Sequence, residues 1–191
     1  MNDLFSTTPP KNSLLKQRGI VVWLLGLSGA GKSTLATLLE KELTEKGYFS
    51  VMLDGDNLRS GINKNLSFNS EDRAENIRRA AEIAKLLVSN NIITICSFIT
   101  PLQAHRDLAR EIIGEDYFEV FVDCPLEVCE QRDVKGLYKK ARREGIANFT
   151  GISSSFEPSA SSELILTTAQ QSPQESVEIL LEALKIRIAA V

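Results

Sequence analysis

Five short apolar runs recur along the chain, separated by longer stretches in which apolar and polar positions repeat with a helical period. The runs cover residues 20–25, 49–53, 92–98, 118–122 and 164–166, each rich in Ile, Val or Phe and bounded by Gly, Asn, Asp or Pro. Near-continuous apolar character of this length predicts strands buried on both faces. Residues 32–46, 71–89, 103–113, 126–132 and 173–189 read as helices. The last opens with Ser172-Pro173-Gln174-Glu175, a capping-box spacing with proline at the first helical position. Alternation of this kind predicts an α/β fold, a five-stranded parallel sheet with helices on both faces. It occupies one domain over residues 19–191, and residues 1–18 read as a flexible polar tail. One stretch breaks the alternation: residues 134–158 hold many Lys, Arg, Gly and Ser and no long apolar run. A polar segment that long inside a compact domain predicts a working lid, with a solvated basic surface as the alternative.

Composition narrows the function classes. The 191 residues are 43% hydrophobic and 25% charged, enough for one buried core, which excludes disorder or a coiled coil as the main description. The apolar run at 20–25 stops at Gly26, so no membrane span is expected, and no signal-peptide pattern precedes it. A cytoplasmic location is the resulting expectation. The net charge of −3 argues against nucleic acid as a partner, although basic residues cluster at 73–79 and 135–143. Cys96, Cys124 and Cys129 are odd in number and lack zinc-site spacing, so buried thiols are expected. A single histidine, His105, excludes a two-histidine metal site within one chain.

The most specific local signal is Gly26-Leu27-Ser28-Gly29-Ala30-Gly31-Lys32-Ser33, followed by Thr34, which fits G-x-x-x-x-G-K-[ST] between a predicted strand and a predicted helix. Glycines let successive backbone N–H groups turn inward as an anion nest at the positive end of a helix. Lys32 adds a compact charge for the terminal phosphates, and the Ser33 hydroxyl is a hard oxygen for Mg²⁺. The segment therefore predicts a P-loop binding ATP with Mg²⁺. Asn63-Lys64-Asn65-Leu66 begins a guanine-reading N-K-x-D pattern but ends in leucine, which counts against a GTPase. Two polar excursions in a small chain point instead to a small-molecule kinase that closes over its ligands to exclude water.

Past the second predicted strand lies Asp54-Gly55-Asp56, where ligands of open α/β sheets sit. Carboxylates there suit a magnesium shell and a base for a hydroxyl proton. Asp123, ending another strand, is a rival that would serve equally well as a helix cap; Asp54 is favoured. Arg59, Phe68, Arg73, Asn76 and Arg79 follow, with 73, 76 and 79 on one helical face. Paired arginines with phenylalanines suit an acceptor combining an anionic group with a base ring, the alternative being a solvated basic stripe.

At this point the chain resembles a known family. WLLGLSGAGKS, LDGDNLR, EDRAENIRR, SFITP, PLEVCEQRDVKGLYKKAR and NFTGI, in unbroken order from Gly19 to Glu163, are similar to the adenylyl-sulfate kinases (APS kinases). The resemblance implies a single-domain P-loop kinase fold with a lid, commonly dimeric. It implies transfer of the ATP γ-phosphate to the 3′-hydroxyl of adenosine 5′-phosphosulfate. By position it makes Asp54 the base or magnesium partner, supported by Asp56. Arg59, Arg73 and Asn76 would hold the phosphosulfate and ribose, and Phe68 and Phe149 would sandwich the acceptor adenine. The Ile99 backbone would help place that ring. Lys135 and Leu137 would act from the lid, and Arg132 would pack near the ATP base. Thr100 occupies a serine position sometimes labelled a phosphoserine intermediate. The chain departs from the family pattern at residues 100–103 and at 153–156. A related acceptor, such as a nucleoside diphosphoramidate, is therefore the alternative, and a non-catalytic nucleotide-binding regulator the reading from another class. Coupling to an ATP sulfurylase is a further expectation of the resemblance.

Overall fold

Every residue of the central strand β1 (Val21–Leu25) is buried, because helices cover both of its faces. Its side chains alternate between two cores, as the two-residue period of a strand requires. Val22 and Leu24 join one, and Val21, Trp23 and Leu25 join the other. The computed structural model describes residues 14–189. Around β1 it places β2 (Ser50–Asp54), β3 (Ile93–Ser97), β4 (Tyr117–Asp123) and β5 (Leu164–Thr167). The sheet is parallel throughout, in the order β2-β3-β1-β4-β5. The five expected strands are all present, each within a residue or two of the boundaries read from the sequence.

On one face lie α1 (Lys32–Glu45) and the C-terminal α7 (Pro173–Ile188). Leu35, Leu39 and Leu43 of α1 and Val177, Leu180 and Leu184 of α7 share a core there. On the other face are α3 (Ser70–Val88) and α4 (Gln103–Ile113). Ala80, Ala81 and Ala84 let α3 approach the sheet closely beside Ala109 of α4. Caps fix where two of these helices begin. The Asn69 side chain accepts from the Asp72 N–H at 2.8 Å, and Ser172 and Glu175 form the expected reciprocal box.

Two short helices were not anticipated. A one-and-a-half-turn α2 (Gly55–Ser60) follows β2 directly, capped by the Asp54 carboxylate. Between α5 (Leu126–Arg132) and β5, the lid segment contains α6 (Leu137–Glu144). Its buried face is one pair three residues apart, Tyr138 and Ala141, too short a pattern for periodicity to detect. Asp133 holds its start by accepting from the N–H groups of Tyr138 and Lys139, both at 3.0 Å.

The expected tail needs one correction. Residues 1–13 lie outside the described residues, but Gln17 is buried and pinned to the sheet. Its amide donates to the carbonyls of Phe49 and Asn91, both at 2.8 Å, and accepts from Phe49 N–H at 2.7 Å. A side-chain amide that satisfies the starts of two strands at once cannot be loose.

Candidate active site

The carboxyl ends of β1, β2 and β3 converge on one edge of the sheet. The loop from Gly26 to Gly31 leaves β1 with φ of +148°, +77° and +106° at Gly26, Gly29 and Gly31. At Gly26 a Cβ would lie 2.5 Å from the Val122 carbonyl oxygen, so no other residue fits without moving the backbone. Gly31 turns the chain into α1, leaving the N–H groups around Lys32, Ser33 and Thr34 at the helix's positive end. Neighbouring elements clamp this loop from outside. The Tyr138 hydroxyl of α6 donates to the Ser28 carbonyl at 2.9 Å, and Thr168 donates to the Ala30 carbonyl at 2.7 Å. Arg132 reaches the Gly29 carbonyl at 3.4 Å and the Thr168 carbonyl at 2.6 Å, so it braces the loop as well as flanking it.

Lys32 is buried, and its ammonium donates to the Leu27 carbonyl at 2.7 Å. Burial pulls its pKa from 10.5 down to about 8, with the Lys135 ammonium adding to the fall and Asp54 and Asp56 opposing it. Without a bound anion this charge is under-compensated, which a triphosphate would reverse.

Across the cradle, Asp54 stands at the end of β2. One carboxylate oxygen caps α2 through the Asp56 N–H at 2.9 Å; the other accepts from the Ser33 hydroxyl at 3.2 Å. Ser97, which ends β3, places its hydroxyl 3.5 Å from that of Ser33. Asp56 is paired with Lys135 of the lid, both exposed. The rival carboxylate Asp123 lies on the other side of β1. Its backbone carbonyl accepts from Thr168 N–H at 3.0 Å, and the N-cap of α5 is Pro125, so the side-chain capping role weighed for it is absent.

Magnesium can be tested against these oxygens. Ser33 Oγ and Asp54 Oδ2 are hard donors facing one another, and no cluster of three or more Asp, Glu, His or Cys occurs among the described residues. That fits an ion taking its remaining ligands from phosphates and water, as Mg²⁺ ordinarily does beside a nucleotide.

The acceptor candidates form a second group, along the start of α3 and the loop before it. Arg59 donates to the carbonyls of Leu66 and Ser67 and lies 4.3 Å over the Phe68 ring, which is itself exposed. Arg73 donates to the Phe68 carbonyl and to Thr150 Oγ1, both at 2.8 Å, and also to the Asn148 carbonyl. It thereby joins α3 to the lid. A cavity of about 70 Å³ opens beside it, bounded by Phe68, Arg73, Pro101, Leu102, His105 and Asn148.

Several expected contacts are used differently. Asn76 is buried and accepts from Asn63, itself fully buried, at 3.0 Å, so it supports the 61–66 turn. Arg79 is taken up by Glu75 at 2.8 Å and by Asn65 at 2.9 Å, which corrects the single binding face expected for residues 73, 76 and 79. Thr100 adopts φ +42° and is buried, its hydroxyl accepting from Trp23 Nε1 at 2.9 Å. The Ile99 carbonyl accepts from Gly26 N–H at 3.3 Å, so it tethers the cradle to the acceptor loop. Phe149 packs edge-on against Tyr138, with ring centres 5.1 Å apart, and does not border the cavity beside Phe68. Leu137 opens α6, half-buried. Ser97, Tyr138 and Thr168 carry site contacts that the sequence did not flag. Isolated hydroxyls at strand ends or in a lid have no local signature. All three cysteines are free and buried, and burial pushes the Cys129 thiol up to about 12.

With this geometry in hand, comparisons with known proteins are informative. The family profile for adenylylsulphate kinase matches residues 18–167. A curated adenylyl-sulfate kinase of Clostridium acetobutylicum is 51% identical over 175 residues, covering 92% of this chain and 88% of its own. One of Phocaeicola vulgatus is 57% identical over 173 residues, covering 90% and 85%. Among solved structures, the Mycobacterium tuberculosis APS kinase in complex with AMPPNP and APS superposes with a TM-score of 0.85 at 46% identity, covering 88% of this chain and 98% of that one. The hexameric APS kinase of Thiobacillus denitrificans gives a TM-score of 0.68 at 28% identity, covering 96% of this chain and 31% of that one. No helix of the described residues is long and apolar enough to cross a membrane.

Proposed function

The chain belongs to the adenylylsulphate kinase family, and from that premise we propose how its side chains divide the work of phosphoryl transfer. The activity is ATP-dependent phosphorylation of adenosine 5′-phosphosulfate at its 3′-hydroxyl, giving 3′-phosphoadenosine 5′-phosphosulfate and ADP. The alternative acceptor, a nucleoside diphosphoramidate, has no support among the relatives, which are adenylyl-sulfate kinases at about half identity or better over most of the chain.

The observation that carries the assignment of roles is the Ser33–Asp54 contact, which sets a carboxylate opposite the cradle. The β- and γ-phosphates sit on the N–H groups of Gly29 to Ser33, with Lys32 against the terminal group. Thr34 lies at the edge of the nest, and Arg132 beside the ATP base. Ser33 and Asp54 would hold Mg²⁺, which would supply neutralisation of charge on the terminal phosphates. The acceptor lies over Phe68, with Arg59 and Arg73 on its anionic arm; Asn76 and Ile99 position those groups from behind, and Phe149 covers the ring from the lid. Asp54 accepts the 3′-hydroxyl proton as that oxygen bonds to the γ-phosphorus, and the β–γ bridging oxygen leaves with its electron pair on ADP. Asp56 and Lys135 join the lid to this centre, and Leu137 moves with it.

Direct transfer is supported by the surroundings of Thr100. Its hydroxyl is buried and accepts from Trp23 Nε1, so a phosphate there would have to displace that bond and bury about two charges. A homodimer and a cytoplasmic location, where ATP is supplied, belong to the same reading. Partnership with an ATP sulfurylase, which would deliver the acceptor, also belongs to it. The test is an acceptor panel with purified protein and Mg·ATP, following ADP release and identifying the product. Turnover with adenosine 5′-phosphosulfate at least ten times that with other nucleotides is expected; equal turnover with a phosphoramidate acceptor would overturn the assignment.

A further inference from the structure

Thr150 takes no part in the roles set out above, yet its hydroxyl accepts from Arg73 Nη1 at 2.8 Å. The side chain is buried and stands in a tightly wound turn of the lid. There the Phe149 carbonyl accepts from the N–H of Ile152 at 3.1 Å and from those of Ser153 and Ser154, both at 3.0 Å. Ser153 Oγ accepts from the Phe149 N–H and donates to the Ile146 carbonyl, both at 2.9 Å. A Cβ on Gly151 would lie 3.1 Å from side-chain carbons of Leu27 and of Leu126, so the turn rests on the cradle loop and on α5. Thr150 is thus held by its own turn, independently of Arg73.

Arg73 needs such a hold. A guanidinium carries five N–H donors in one plane. Here Nε serves the Phe68 carbonyl, Nη1 the Thr150 hydroxyl and Nη2 the Asn148 carbonyl. Three bonds from three nitrogens fix the plane, and one N–H is left over on each of Nη1 and Nη2. All three partners are neutral oxygens, and none of them balances the charge. Desolvation holds the Arg73 pKa below the ordinary arginine value, and the Arg59 guanidinium nearby lowers it further. A half-buried cation in that position, bordering the cavity beside Phe68, is completed by an anion.

We propose that Thr150 is a positioning residue, whose hydroxyl fixes the rotation of the Arg73 guanidinium so that its two remaining N–H groups meet the phosphosulfate of the acceptor. The inference rests on Arg73 acting on the acceptor's anionic arm, as set out above. Thr150 acts through Arg73 and does not itself touch the acceptor. Valine at this position keeps the shape of the side chain but sets a methyl group against an N–H that has lost its partner.

The test measures initial rates of wild type, T150V, T150S, R73M and the R73M/T150V double variant. T150V should raise the KM for adenosine 5′-phosphosulfate roughly fivefold to tenfold, with kcat within about twofold and the KM for ATP unchanged. T150S keeps the hydroxyl and should return to within about twofold of wild type. In the R73M background, T150V should lower kcat/KM for the acceptor by less than about twofold further, because the residue it aims is gone. A staple of the lid with no bearing on Arg73 would raise both KM values together or move Tm alone, and either result overturns the proposal. So does an unchanged acceptor KM in T150V beside an impaired R73M. Crystals of the wild type with ADP and adenosine 5′-phosphosulfate give a check that needs no variant. Thr150 Oγ1 should stay within about 3.2 Å of Arg73 Nη1 while Nη1 or Nη2 meets a phosphosulfate oxygen; an Arg73 turned away from Thr150 to reach the acceptor overturns the inference. An R73M enzyme with wild-type kcat/KM would remove Arg73 from the acceptor's grip, and the role of Thr150 with it. If wild type fails to phosphorylate adenosine 5′-phosphosulfate at all, the acceptor assignment falls first and carries this inference with it.

Discussion

Replacing Asp54 by asparagine separates its chemical role from its structural one. The residue does two jobs with two oxygens: Oδ1 caps α2 through the Asp56 N–H at 2.9 Å, and Oδ2 faces Ser33 Oγ at 3.2 Å. Asparagine caps helices about as well as aspartate, so D54N should fold with a stability change within roughly 0.5 kcal/mol. It loses the negative charge and the ability to take a proton. General-base catalysis is worth about 10²–10⁴-fold, or roughly 2.7–5.4 kcal/mol at about 1.36 kcal/mol per decade. We therefore expect kcat to fall by at least ~10²-fold. D54A removes the cap too, at about 0.5–2 kcal/mol, and should also lower Tm, at about 2–4 °C per kcal/mol for a chain of this size. Thermal melts and a coupled assay of ADP release, both with adenosine 5′-phosphosulfate as acceptor where turnover is read, give the two numbers. A D54N enzyme within threefold of wild-type kcat would refute the reasoning and move the base to Asp56 or Asp123.

Other consequences follow from the same geometry. The fall of the Lys32 pKa from 10.5 to about 8 in the folded protein means that the unfolded chain binds more protons between those values, so ligand-free stability should rise with pH across that window. The buried charge costs roughly 3 kcal/mol at neutral pH. K32M, which forfeits one hydrogen bond worth about 1 kcal/mol, should accordingly melt about 4–8 °C higher while losing turnover; a lower Tm would contradict the burial argument. R73K keeps the charge but loses the fork that joins Phe68, Asn148 and Thr150. Its KM for adenosine 5′-phosphosulfate should rise at least ~10-fold with that for ATP unchanged, as initial-rate kinetics would show. Y138F removes the lid's hold on the Ser28 carbonyl and should raise the KM for ATP severalfold, whereas an unchanged KM would make that contact merely structural. K135A breaks an exposed pair with Asp56, worth about 0–1 kcal/mol, so Tm should hold while kcat falls.

The sheet was legible because its strands are unusually plain. Val21–Leu25 is apolar at every position, and its P-loop continuation is fixed by glycines whose backbone angles exclude other residues. Ser172-Pro173-Gln174-Glu175 likewise announced α7, since the whole box lies within four residues. The acceptor side was harder to read. Arg73, Asn76 and Arg79 share a helical face, yet only tertiary structure decides that Arg73 reaches the lid while Glu75 and Asn65 occupy Arg79. Periodicity reports which side chains are neighbours, not what lies opposite them. α6 escaped for a related reason: its buried face amounts to Tyr138 and Ala141, and its start is held by Asp133 from outside the helix. Ser97 and His105 have no motif of their own. Each is placed by the end of a strand or the first turn of a helix packed on the sheet.

The most direct measurement is a crystal structure of the wild-type chain with Mg²⁺, a non-hydrolysable ATP analogue and adenosine 5′-phosphosulfate. The account predicts β- and γ-phosphates on the amides of Gly29 to Ser33, and the acceptor 3′-hydroxyl within about 2.6–3.2 Å of an Asp54 oxygen. Phosphates bound away from that loop, or a 3′-hydroxyl turned toward Asp123, would contradict it.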